Sequence, residues 1–433
     1  MSRRSTASEG QSPLVEAVAG NGLLDRRFFI KQSVALFGVG GLGAVARSAR
    51  AADPTQLPPW MQFPGAGMSS YGSPAKYESK VVRALIQSKP GTTGSGASRT
   101  PIESLDGMIT PNGLHFERHH SGVPDIDPDS HRLLIHGLVK RPLIFTVDTL
   151  LRYPLVSRIH FLECSGNSLS MFGATPPALT CGQVHGLLSC SEWTGVPLRL
   201  LLEEAGADLT VPWMLAEGAD AAGMSRSVPM AKALDDAMLA LYQNGERLRP
   251  ENGYPVRLFL PGYEGNMNVK WLRRLKVIAT PIMTKDETSR YTDLQADGKS
   301  LMFTFPMDVK SVITRPSPGV ALRAPGLYEV SGIAWSGHGA IKQVDVSADG
   351  GLTWAPAALS DPVLPRALTR FRIAWKWNGA PAILKSRATD ETGAVQPTRD
   401  ALITAHGTNA IFHYNAIQAW QVETSGEVKN VYA

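Results

Sequence analysis

His160-Phe161-Leu162-Glu163-Cys164-Ser165-Gly166-Asn167 sets a single cysteine where an apolar strand opens into a Gly/Asn turn. A thiolate is polarizable and ionises readily beside a cation, so it suits a soft, redox-active metal better than carboxylate or water does. The plainer reading is a small buried hydrophobe, as most free cysteines are. The octapeptide leaves both open, and the rest of the chain has to weigh between them.

With 433 residues and 43% hydrophobic content, the chain can bury a large core divided over two or three domains. Its net charge of +5 is concentrated at the start: Arg3, Arg4, Arg26, Arg27, Lys31, Arg47 and Arg50 face only Glu9, Glu16 and Asp25. The remainder is close to neutral and carries no basic stripe, so nothing in it suggests nucleic-acid binding. Asp25-Arg26-Arg27-Phe28-Phe29-Ile30-Lys31, a weakly apolar run over 33–45, and the small-x-small Ala49-Arg50-Ala51 read together as a twin-arginine export signal over residues 1–51. The expected address is the periplasm, reached folded and already loaded with any cofactor. The run is too short, and too rich in glycine, to stay behind as a membrane anchor. Three cysteines, Cys164, Cys181 and Cys190, form no disulfide framework, although a Cys181 to Cys190 bridge stays open.

Residues 52–100 are rich in Pro, Gly and Ser and read as an extended arm wrapping the first domain, with a helix over 75–87 and linker composition over 94–98. Over 101–307 short apolar strands (131–138, 157–163, 254–260) alternate with helical patterns (146–152 capped by Thr146, and 197–205 opening on Pro197). Without regular βαβ spacing this predicts α+β, not a doubly wound sheet. From 308 to 433 the pattern is all-β, with strands over 326–335, 341–347, 370–377 and 382–389 and an Asp349-Gly350-Gly351 hairpin turn, predicting an immunoglobulin-like sandwich.

These motifs, in this order, resemble the sulfite oxidase family of molybdenum-cofactor enzymes, from about Asn112 to Val422. Glu163-Cys164-Ser165-Gly166-Asn167 is similar to the family's Cys-x-Gly-Asn motif, and the resemblance implies that Cys164 binds molybdenum. Arg118-His119-His120-Ser121-Gly122-Val123-Pro124 is similar to its Arg-x-His segment, implying that Arg118 faces the substrate anion and His120 touches the pterin. Asn252-Gly253-Tyr254-Pro255-Val256-Arg257 and Asn268-Val269-Lys270-Trp271-Leu272 resemble the two pterin-phosphate segments, implying roles for Asn252, Arg257, Asn268 and Lys270; Asp220 matches an acidic cofactor-contacting position. The chemistry agrees, since a forked guanidinium and a point-charge ammonium suit a phosphate. A surface role for these cations, and simple packing for His119, are the plain alternatives.

Departures from the family pattern point to a substrate. Ser168 and Leu169 stand where sulfite-oxidising relatives place arginines, and Asp297-Gly298-Lys299 where they carry an Asp-Tyr-Lys segment. Less positive charge disfavours a compact dianion such as sulfite, and Gly298 would open the site. The resemblance then implies oxidation of sulfane sulfur held on a sulfur-carrier protein during thiosulfate oxidation, with a free-sulfite dehydrogenase as the alternative. No Cys-x-x-Cys-His haem motif is present, so electrons are expected to leave to a c-type cytochrome subunit. The C-terminal domain is expected to form a homodimer, giving a heterotetramer.

Overall fold

The computed structural model describes residues 17–25, 57–87 and 91–433. Arg26, Arg27, the apolar run and the cleavage pattern of the expected export signal lie outside the described residues. Among the described residues, 17–25, 83–87 and 91–433 belong to one compact unit and 57–82 to a second. In the described part of that second unit, 57–82, the chain makes only the short turns Pro59–Met61 and Lys76–Glu78.

The arm departs from expectation where it enters the compact unit. The helix expected over 75–87 is a turn followed by the strand Ala84–Gln87, and the linker expected over 94–98 holds the strand Gly96–Arg99. These two pair antiparallel, and Gly96–Arg99 pairs in turn with Glu117–His119, setting Ala97 opposite Arg118. An apolar run such as Val81 to Ile86 does not by itself distinguish helix from strand, and the partner strand decided it. A supposed linker is therefore part of the frame that positions Arg118 and His119.

Residues 101–307 are mixed, as α+β predicts. One sheet runs Ser225–Pro229, Trp213–Gly218, Leu272–Ile278, Leu133–Gly137 and Leu143–Phe145, with its only parallel pair between Leu272–Ile278 and Leu133–Gly137. A second is built on Val156–Glu163, Leu188–Pro197 and Met238–Gln243, with Arg257–Phe259 alongside. Short helices fall where caps allow: Val147–Leu150 begins after Thr146, whose hydroxyl accepts from the Thr149 amide, and Leu198–Glu204 follows Pro197. Val156–Glu163 is exposed at its start and buried over its last four residues, so it drives Cys164 into the interior.

Residues 308–433 form two facing sheets. One holds Lys310–Arg315, Gly326–Trp335 and Thr369–Trp377; the other holds Ile341–Ser347, Ala382–Asp390, Ala419–Val422 and Val428–Val431. Ala382–Asp390 alternates buried and half-buried residues along its whole length, the period-2 pattern of a strand with one face on a core. That core is shared with residues 101–307: Phe161, Cys181, Leu188 and Cys190 pack in one cluster with Val312, Ile333, Trp335 and Trp420. Cys181 and Cys190 are free, buried thiols, so no bridge joins them. No helix among the described residues is long and apolar enough to cross a membrane.

Candidate active site

Cys164 follows the Val156–Glu163 strand directly, and its amide donates to the Leu187 carbonyl at 3.0 Å. Asn167 closes the turn, its amide donating to the Cys164 carbonyl at 2.8 Å and its side chain to Glu163 Oε1 at 2.9 Å. Glu163 is held from the sandwich as well: Trp335 Nε1 donates to its Oε2 at 2.6 Å and Lys310 Nζ lies 3.3 Å from its Oε1. The His413 amide donates to the Ser165 carbonyl at 2.9 Å. The C-terminal half thus buttresses the cysteine turn, although every chemistry-bearing motif read from the sequence lies before residue 300. Gly265 lies so close that an added Cβ would sit 3.2 Å from Cys164 Cα.

Cys164 opens into a cleft of about 710 Å³, counting space open to solvent, lined also by Arg118, His120, Asp220, Asn252, Arg257, Asn268 and Lys270. All eight residues singled out in the sequence converge there from separate strands and turns. Arg257 donates to the Asn252 and Asn268 carbonyls, both at 2.9 Å. Lys270 donates to the Glu251 carbonyl at 3.0 Å and to His119 Nδ1 at 2.8 Å, while His119 Nε2 meets Glu117 at 2.7 Å. His119 is therefore more than packing; it orients Lys270. Asn268 uses its side chain on the backbone of its own turn, accepting from the Leu260 amide and donating to the Tyr263 and Glu264 carbonyls.

The electrostatics describe a site short of an anion. Burial depresses Arg257 to about 9, and burial together with Arg257 takes Lys270 well below the usual lysine range. Burial likewise pushes the Cys164 thiol up, against the Gly166 amide and the charge of Arg118. Asn252 Nδ2, Arg257 Nε and His115 Nε2 are buried without a hydrogen-bond partner, and all three residues line the cleft. Since buried polar groups are otherwise satisfied, a polar, anionic ligand fits here. No cluster of three or more His, Cys, Asp or Glu among the described residues could hold a metal. The donor set suits a group that brings its own ligands and takes one thiolate from the protein.

Tyr291 was not found from the sequence. Its hydroxyl lies 2.7 Å from His120 Nε2, its ring stacks on the Arg226 guanidinium at 5.0 Å, and it lines the cleft beside Cys164. Its sequence signal is Ser289-Arg290-Tyr291-Thr292-Asp293, a few residues upstream of Asp297-Gly298-Lys299. The expectation that Gly298 opens the site is corrected: Gly298 is exposed, has φ +79°, and does not line the cleft. Ser168 and Leu169 do not line it either. Ser168 is buried beneath the turn against His185 Nδ1 at 2.7 Å and Lys310 Nζ at 2.9 Å, and Leu169 is 46% exposed. None of the three widens the site.

Comparison with known proteins agrees with this geometry. Residues 120–285 match the oxidoreductase molybdopterin binding domain, and residues 302–419 the Mo-co oxidoreductase dimerisation domain. Sulfite oxidase of Gallus gallus is 32% identical over 327 residues, covering 69% of this chain and 70% of that protein. The chain belongs to the sulfite oxidase family. Mitochondrial sulfite oxidase of Rattus norvegicus is also 32% identical, and there the match spans 59% of the relative's length. The solved structure of the sulfane dehydrogenase SoxCD from Paracoccus pantotrophus is similar with a TM-score of 0.85 and 46% identity, covering 88% of this chain and 98% of that one. As a member of the sulfite oxidase family the chain uses a molybdenum–molybdopterin cofactor.

Proposed function

We propose that the chain is the molybdenum subunit of a periplasmic dehydrogenase that oxidises sulfane sulfur borne on a carrier protein's cysteine in thiosulfate oxidation. The observation that carries this reading is the 46% identity to a sulfane dehydrogenase, across 98% of that chain. The cofactor, when bound, supplies the electron sink and the site at which a water-derived oxygen reaches sulfur. Cys164 is the protein's ligand to the metal. Arg257 and Lys270 would neutralise the pterin phosphate, and Asn252, Asp220 and His115 would meet the polar edge of the pterin, with Asn268 holding the turn that carries Lys270 beside them. Arg118 draws in the sulfur group, which becomes more anionic with each oxygen added. His120 fixes Tyr291, whose hydroxyl donates to that group.

Each oxygen added from water releases two protons and two electrons, and the electrons pass to a c-type cytochrome subunit. The sandwich is read as immunoglobulin-like and as the homodimer contact, supported by the match to a dimerisation domain; with the cytochrome this makes a heterotetramer. Export in the folded state follows from the twin-arginine pattern.

A second reading, a free-sulfite dehydrogenase, is favoured by one observation: Arg118, His120 and Tyr291 sit together in the cleft, with Arg290 on His120, an arrangement suited to a small oxyanion. Steady-state kinetics with carrier-bound sulfane and with free sulfite, using cytochrome c as acceptor, separate the two. The sulfane reading expects the higher kcat/KM for the carrier-bound substrate, and the reverse order sinks it.

A further inference from the structure

Nine residues before the twin-arginine pair are folded onto the far end of the chain. Ala17–Ala19 and Leu23–Leu24 form a small hairpin across the turn Gly20–Gly22, and Leu23 pairs antiparallel with Trp375. Along the edge of Thr369–Trp377, Ala358–Leu359 covers Phe371 and Arg372. Leu23 takes up the Trp375 end of that strand, which would otherwise present unpaired backbone.

The contact is built for a particular sequence. Trp375 Nε1 donates to the Asn21 carbonyl at 2.7 Å, Asn21 Nδ2 to the Ala348 carbonyl at 2.8 Å, and the Gly20 amide to Thr353 Oγ1 at 2.6 Å. Leu23 is fully buried, within the core that holds Val346, Ala348, Trp375 and Trp377. A Cβ at Gly20 would stand 2.1 Å from Asp349 Oδ2, and one at Gly22, where φ is +88°, 2.3 Å from the Lys376 carbonyl. Gly-x-Gly-Leu therefore fits where larger residues cannot. The anchors come from both sheets, the Ala348 to Thr353 turn of one and the edge strand of the other, so the site exists only when the sandwich has closed.

We infer that the sandwich carries a strand-docking site whose ligand is the chain's own Ala17–Leu24 segment. Docked, it leaves Arg26-Arg27 one residue beyond a strand anchored on folded protein, so the export pair is presented on an ordered tether only after the last-made domain has folded. Main-chain pairing supplies the affinity and the glycine and leucine positions the selectivity, as in other strand additions. The export consequence rests on the twin-arginine reading; the docking does not.

Hydrogen exchange on the full-length precursor tests the docking. In the wild type, amides of residues 21–24 and 374–377 should exchange at least tenfold more slowly than in Leu23→Asp, with Gly22→Val as a second variant, while Gly326–Trp335 stays protected in all three. Equal exchange in wild type and both variants overturns the site. Protection that rises with protein concentration and tracks a dimer by light scattering overturns the choice of the chain's own segment in favour of a second copy's. In cells, Leu23→Asp should slow export at least threefold. Unchanged export of that variant, with Arg26→Lys/Arg27→Lys blocked, overturns the tether; export unaffected by the arginine change overturns the twin-arginine reading and leaves the exchange result standing.

Discussion

The hydroxyl of Tyr291 lies 2.7 Å from His120 Nε2, and Arg290 Nη1 lies 3.0 Å from the same ring's Nδ1. Burial, reinforced by Arg118, Arg290, Lys270 and Lys285, lowers His120 to about 3, so the ring is neutral at physiological pH. Arg290 can only donate, which puts the ring proton on Nε2 and makes the Tyr291 oxygen an acceptor. The tyrosine's own proton is left to point into the cleft. Tyr291→Phe should lower kcat/KM by about 10- to 100-fold, the loss of one hydrogen bond to a charged group of about 1.5–3 kcal/mol. Pterin content should not change. Full activity in this variant would remove Tyr291 from the chemistry.

Lys270 and Arg257 are buried cations whose hydrogen bonds go to carbonyls and to His119. Replacing Lys270 with Met removes a charge-assisted contact, so purified protein should carry at least tenfold less molybdopterin. Pterin fluorescence after acid release, with molybdenum analysis, measures it. Equal loading would make Lys270 a structural residue.

Cys164→Ser should abolish turnover while most of the pterin remains bound, because Arg257, Lys270 and Asn252 are untouched. Cys181→Ser, buried in the shared core away from the cleft, should retain turnover. The opposite pattern would mean that the wrong cysteine has been assigned.

Lys310 and Glu163 are each at most 2% exposed and 3.3 Å apart. Lys310→Met leaves the carboxylate buried with Trp335 and Asn167 as its remaining partners, which should cost about 3 kcal/mol or more in urea unfolding. Adding Glu163→Gln removes the uncompensated charge and should recover part of it. If the double variant is no more stable than the single one, charge is not what the pair contributes.

His413 and Glu264 give the fold a pH window. Burial opposes charge on His413, yet the hydrogen bond and charge of Glu264, with Asp293 and Asp308, raise it to about 9 from 6.5. Burial also opposes charge on Glu264, and His413 and Arg226 lower it below 4.5 nonetheless. The histidine's contribution is complete below pH 6.5 and is lost as pH rises through about 9; the glutamate's is complete above pH 4.5 and is lost in acid. The raised histidine corresponds to about 3 kcal/mol as an order of magnitude. Thermal unfolding should therefore be most resistant between pH 4.5 and 6.5, and His413→Gln should flatten the alkaline limb. An unchanged limb would rule the pair out.

The sequence by itself determined what is local and periodic. Alternation placed strands over 326–335, 341–347 and 382–389, Thr146 and Pro197 placed helix starts, and motifs resembling those of the sulfite oxidase family named the eight residues that meet in the cleft. Each signal sits within a few residues of what it specifies. Only the tertiary structure decided that Ala84–Gln87 is a strand, because its partner Gly96–Arg99 supplies the hydrogen bonds. It also decided that Tyr291 and not position 298 faces Cys164, since one turn of chain path separates lining from exposure and no periodicity reports it. Lys310, Trp335 and His413 reach the cysteine turn across 147 to 248 residues of chain, and Leu23 reaches Trp375 across 352. Such contacts form because closed sheets bring buried charges and unpaired edges together, and burial leaves no cheaper partner for them.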